Sequence, residues 1–77
     1  MKTIRELDRV ILDVNLPKSK LKKGDIGTVV MVHKNGEGFE VEFMTLDGKT
    51  LTVETLKSSQ LKEIRRRQIA HARELSA

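Results

Sequence analysis

Apolar residues recur at alternate positions through most of the chain, and a period of two predicts strands rather than helices. Val10 and Leu12 share one face of a short run that opens at Asp8. Asn15 to Lys20 is polar and contains Pro17, which has no backbone donor, so a loop is expected there. Ile26 to His33 is rich in β-branched residues, with Thr28, Val30 and Val32 on one parity and Val29 and Met31 on the other. Asn35-Gly36-Glu37-Gly38 has the backbone freedom of a hairpin turn. Phe39, Val41 and Phe43 alternate with Glu40 and Glu42, the pattern of a half-buried antiparallel strand with the glutamates in solvent. Asp47-Gly48 marks the next turn, and Leu51 and Val53 then alternate with Thr50, Thr52 and Glu54. Lys57 to Gln60 fits one helical turn, and Leu61 to Ile64 a short closing strand. A meander of this kind removes most of its unpaired edge by closing on itself. The expected architecture is all-β: a small barrel of about five antiparallel strands over residues 1–64.

Residues 65–77 change character. They are rich in helix formers and contain no breaker, so a basic helical tail is expected. Leu61, Ile64, Gln68, His71 and Leu75 line one stripe at heptad spacing, with Ala72 beside it. The charges oppose the helix dipole, because Arg65, Arg66 and Arg67 crowd the first turn and Glu74 the last. About a dozen residues is also marginal for an isolated helix, so the tail should be ordered only when packed.

Charge sharpens this division. Residues 1–56 carry nine Lys/Arg and nine Asp/Glu, so the whole formal charge of +4 lies in residues 57–77. A neutral body does not support a nucleic-acid face spanning the domain. With no Tyr, no Trp and only two Phe, both on the inward parity, the stacking platform of single-strand binders is missing. The chain has no cysteine, which excludes disulfides and Cys-based zinc sites and suits a reducing cytoplasm. No apolar run reaches membrane-spanning length, and no apolar segment of the signal-peptide type follows Met1–Glu6.

Candidate chemistry is sparse. Gly24 and Gly27 could present backbone N–H groups to a phosphate, but the residues after them read as strand and Asp25 would repel an anion. His33 and His71 have no nucleophile in a recognisable spacing, Ser58 and Ser59 read as cap residues, and Asp8 and Asp13 lack metal-loop spacing. Glu40, Glu42 and Glu54 read as a solvated strand face. No enzyme, metal or cofactor is expected.

The joint pattern Gly24-Asp25-x-Gly27-Thr28-Val29-Val30, Glu40-Val41-Glu42-Phe43 and Asp47-Gly48 resembles an uncharacterised bacterial family of small proteins known only as a domain of unknown function. The resemblance covers roughly residues 3–64. It implies an SH3-like barrel with Ser58-Ser59-Gln60 as the turn before the last strand, and it implies no activity. Relatives encoded beside a second small protein imply an antitoxin-like or accessory role. Lys23 to Val30 is also similar to the second half of the KOW motif of SH3-like domains, although the glycine that usually precedes it is replaced by Leu16 to Lys20. The tail inherits nothing from either likeness.

These readings point to a non-enzymatic protein-interaction module whose partner is another protein, a second copy included. Gln68 and His71 on the stripe weaken a self-associating coil and favour a foreign partner. Only one parity of Ile26–His33 can face inward, so either Val29 and Met31 or Val30 and Val32 must lie outside. Val29 and Met31 are assigned to the partner surface, with Ile64, Gln68, Ala72 and Leu75. The alternative is a KOW-like nucleic-acid accessory contacting phosphates through Lys18, Lys20, Lys22, Lys23 and Arg65 to Arg67.

Overall fold

The alternation at Phe39, Val41 and Phe43 becomes the centre of the fold. The computed structural model describes residues 4–64, 68–70 and 72–75. Its strands are β1 (Arg9–Leu12), β2 (Ile26–His33), β3 (Gly38–Met44), β4 (Thr50–Leu56) and β5 (Leu61–Glu63). They form one sheet in the order β4-β3-β2-β1-β5, and every neighbouring pair is antiparallel. Short 3-10 turns occupy Pro17–Ser19, Lys34–Gly36 and Ser58–Gln60. The ladder is open, with β4 and β5 at its two edges.

Each strand contributes its inward parity to one core. Val10 and Leu12 come from β1, Val29 from β2, the three residues of β3, Leu56 from β4 and Leu61 from β5. Burial on this face is dense enough that Gly27 of β2 has no room for a side chain. A Cβ there would lie 2.5 Å from Val41 Cγ1 and 2.9 Å from Phe43 Cε1. Gly27 is therefore a packing glycine inside a strand, opposite Val10, rather than a turn residue. Gly24, at φ 100, makes the turn before it.

Two features of the sheet overturn parity readings. Val29 pairs with Val41 but Met31 pairs with Glu40, so Val30 is an extra residue and β2 carries a bulge. The bulge lets Val29 face the core while Val30 and Met31 both lie outside, and Val32 returns to pack against the core opposite Phe39. Val29 is 0% exposed, so it belongs to the core and not to a partner surface. In β4 the apolar pair lies on the outer parity: Leu51 and Val53 are 40% and 48% exposed. Glu54 instead sits opposite Val41 on the inward parity and accepts hydrogen bonds from Ser19 Oγ (2.7 Å) and Thr52 Oγ1 (2.8 Å). Those two hydroxyls satisfy a carboxylate that strand alternation alone would have left in water.

Phe39, Val41 and Phe43 are buried as expected, whereas Glu40 and Glu42 are half-buried rather than exposed. Thr55 Oγ1 donates to Glu40 (2.7 Å) and Thr50 Oγ1 to Glu42 (2.6 Å), so hydroxyls of β4 cover the glutamates of β3.

The expected tail helix is not seen. Residues 68–70 and 72–75 have no helical structure, in keeping with charges that oppose the dipole and a length below what an isolated helix needs. Arg65, Arg66, Arg67 and His71 lie outside the described residues.

Gly27→Ala tests the close approach at the core. Overpacking of this kind should lower unfolding free energy by about 1–3 kcal/mol in urea denaturation, while Thr28→Ala on the outer face should stay within about 0.5 kcal/mol. A Gly27→Ala variant as stable as the parent would contradict the packing described.

Candidate interaction groove

The site is built around the Lys20–Asp25 corner. Leu12 N–H donates to Asp25 O (2.8 Å) and Gly24 N–H to Leu12 O (2.7 Å), which laces the corner to β1. The Asp25 side chain is oriented by its own turn, because Lys22 N–H donates to its Oδ2 at 2.9 Å. Lys20, at φ 59 in the left-handed region, ends the Pro17–Ser19 turn.

Arg73 of the tail meets this prepared surface. Its Nε donates to Asp25 Oδ1 (2.7 Å), and its Nη2 donates to Asp25 Oδ2 (2.6 Å) and to the Lys20 carbonyl (3.0 Å). The fork is bidentate, the geometry in which a guanidinium and a carboxylate bind most strongly. The side chains of Arg73 and Asp25 are 23% and 17% exposed, so solvent screens the pair only partly. Burial pushes the Asp25 carboxyl up, but hydrogen bonds from Arg73 and from Lys22 N–H, with the guanidinium charge, outweigh it and hold the group below its ordinary value of 3.8. The same hydrogen bond raises Arg73 further above the range in which it could lose its proton.

The anchored tail forms one wall of a groove of about 900 Å³. Ala70, Ala72 and Leu75 lie on the tail side; Leu21, Ile26, Phe43, Met44, Leu46 and Leu51 lie on the sheet side. The volume falls in the range of ligand-binding clefts, which a 77-residue chain could not be expected to enclose within its core. It is an open groove between tail and sheet, and much of its apolar lining stays uncovered. Leu46 is 96% exposed, and Met44 and Leu51 are close to half exposed.

A polar cluster occupies the outer face nearby. Glu40 Oε2 accepts from Thr55 Oγ1 and lies 2.8 Å from His33 Nε2, and those two hydrogen bonds hold its carboxyl below the ordinary glutamate value. It pairs strands; no activated nucleophile touches it among the described residues. The described residues hold no group of three or more His, Cys, Asp or Glu placed to bind a metal ion.

The sequence-derived partner residues separate in space. Met31 is exposed on the outer face opposite Glu40. Ala72 and Leu75 line the groove, but Ile64 lines a smaller cleft with Ile4, Val10 and Glu63, and Gln68 lies on the surface. The expected stripe is thus divided. Lys18, Lys20, Lys22 and Lys23 are all exposed on the β1–β2 connection, with Lys23 at 3.8 Å and Lys62 at 3.3 Å from Asp13. The residues missed from sequence are Arg73 and Asp25, and with them Met44, Leu46 and Leu51. One signal did exist: Asp25 is a lone carboxylate in a lysine-rich loop, and Met44 and Leu46 are apolar residues beside a turn.

A family model described as Domain of unknown function (DUF4926) matches residues 6–63, and the chain belongs to that family. No curated protein and no solved structure matches it. No helix among the described residues is long and apolar enough to cross a membrane.

The lowered Asp25 carboxyl gives the clamp a pH dependence with a defined sign. A group lowered on folding contributes stability above its unfolded value of 3.8 and loses it as pH falls through the folded value. Carboxyl-carbon NMR titration should place the Asp25 midpoint below 3.8 in the parent and higher in Arg73→Ala. Equal midpoints in the two proteins would show that Arg73 does not hold Asp25.

Proposed function

We propose that this member of the family is a small non-enzymatic protein-interaction module of the cytoplasm, an accessory partner that binds another protein through the groove over β2, β3 and β4. One observation carries the reading: a peptide segment, the chain's own tail, already lies against the groove through a bidentate ion pair while apolar lining remains open beside it. Apolar side chains left outside by the β2 bulge and by the parity of β4 extend that surface, since Met31 and Val53 are about half exposed. Contiguous exposed apolar area of this kind marks interaction surfaces and binding grooves.

The scaffold fits an SH3-like barrel. The strand order β4-β3-β2-β1-β5, the 3-10 turn at Ser58–Gln60 just before β5, and the Ser19–Glu54 hydrogen bond drawing the β1–β2 connection onto β4 all support that reading. Lysines around the connection would add to association rate more than to affinity.

The test is affinity purification of the tagged full-length chain from its own host, as the parent and as Leu51→Glu. Leu51 is outward on an edge strand, so the variant should melt as the parent does and lose the protein that co-purifies with the parent. Retention of every co-purifying protein by a folded Leu51→Glu variant would remove the groove from the account. Sub-micromolar affinity for a defined RNA or DNA, falling steeply with salt and lost when Lys18, Lys20, Lys22 and Lys23 become Ala, would replace the protein-binding reading with a nucleic-acid one.

A further inference from the structure

The tail shows what the groove accepts. We propose that the Asp25 corner and the sheet side of the groove recognise a non-helical segment of a partner protein that carries an arginine two residues before an aliphatic side chain, and that the chain's own Arg73-Glu74-Leu75 is the resident segment there, which such a partner displaces and replaces as the wall of the groove. The inference rests on the interaction reading above and names the chemistry of the partner.

Three observations support it. The first is the shape of the anchor. Asp25 offers two carboxylate oxygens and Lys20 a carbonyl, and Arg73 satisfies all three with Nε and Nη2. A lysine ammonium carries its donors on one atom and cannot reproduce that planar fork, so the anchor selects arginine over lysine. The second is the electrostatics of an empty site. Asp25 is 17% exposed, and removing Arg73 leaves a part-buried carboxylate without its ion-pair partner. The site therefore favours exchange of one arginine for another over standing open.

The third is incomplete coverage. Leu75 lies two residues beyond the anchor and lines the groove, yet Leu46 is left almost fully exposed and Met44 and Leu51 about half exposed. A partner segment that continues past the aliphatic position would cover apolar surface the tail leaves in water, which gives it an advantage over the resident. The tail has the opposite advantage of being tethered, with an effective concentration on the order of millimolar. Binding by a foreign segment should therefore be weak in the parent and stronger once the tail anchor is removed.

The probe is a synthetic peptide with the sequence of residues 68–75, titrated by heteronuclear NMR into the full-length protein. Arg73→Ala in the protein should raise peptide affinity about tenfold or more over the parent, and replacing the peptide's arginine by lysine should lower it by about tenfold, in line with loss of one charge-assisted contact. Asp25→Asn added to the Arg73→Ala protein should lower it similarly, with perturbed amides in the parent-like complex falling at Asp25–Thr28 and Phe43–Leu46. The lysine peptide needs no protein variant, so its result stands whether or not a substitution disturbs folding. Equal affinity of the parent and Arg73→Ala for the peptide, or equal affinity for the arginine and lysine peptides, would overturn the inference. If those arms fail while Leu51→Glu still releases a co-purifying protein, the arginine rule falls and the interaction reading stands.

Discussion

The core is filled from one face of a single five-stranded sheet, where inward side chains from all five strands meet, and the rest of the structure depends on how that face packs. At one place in that core, backbone stands where a side chain would otherwise be. Gly27 is that place: Val41 and Phe43 of β3 occupy the volume a Cβ at Gly27 would take. The remaining inward side chains, from Val10 and Leu12 to Leu56 and Leu61, close around the contact. In so small a domain the margin of stability left after chain entropy is narrow.

The outer face follows from the same constraint. β2 must supply Val29 to the core and Val32 near Phe39, an odd spacing that simple alternation cannot provide, and the bulge at Val30 resolves it. The cost is that Val30 and Met31 are both left outside. β4 must cover the core with Leu56 while its Glu54 is held by Ser19 and Thr52, which commits Leu51 and Val53 to the exterior. An apolar exterior on one side of the sheet is thus a by-product of how the core is filled. The tail lies against part of it, fixed by Arg73 on Asp25.

Much of the fold was legible because strict alternation has one structural meaning. Phe39, Val41 and Phe43 could face only inward, Asp47-Gly48 could only turn, and Ile26–His33 formed the strand its β-branched residues predict. The failures lie where alternation is broken or ambiguous. A continuous apolar run does not reveal a bulge, so alternation alone does not say which of Val29 and Val30 faces the core. In β4 a Thr-Val-Glu sequence is equally compatible with either parity, and the hydroxyls of Ser19 and Thr52 make an inward glutamate tolerable. The tail's heptad stripe is a true periodicity in composition, but the described tail residues form no helix to express it. Its decisive residue, Arg73, acts over a sequence separation of 48 residues, which no local pattern can signal. For the same reason the groove could not be read from sequence: one of its walls is the tail.

The central claim is that the tail crosses the outer face of the sheet and is held there by one ion pair. The chain has no cysteine, so a single Ile69→Cys substitution at an almost fully solvent-exposed tail position accepts one nitroxide label without competing sites. Paramagnetic relaxation in the full-length protein should broaden amides at Asp25–Thr28 and Phe43–Leu46, and Asp25→Asn should restore their intensity. Absence of broadening there, or broadening that persists unchanged in Asp25→Asn, would contradict the account.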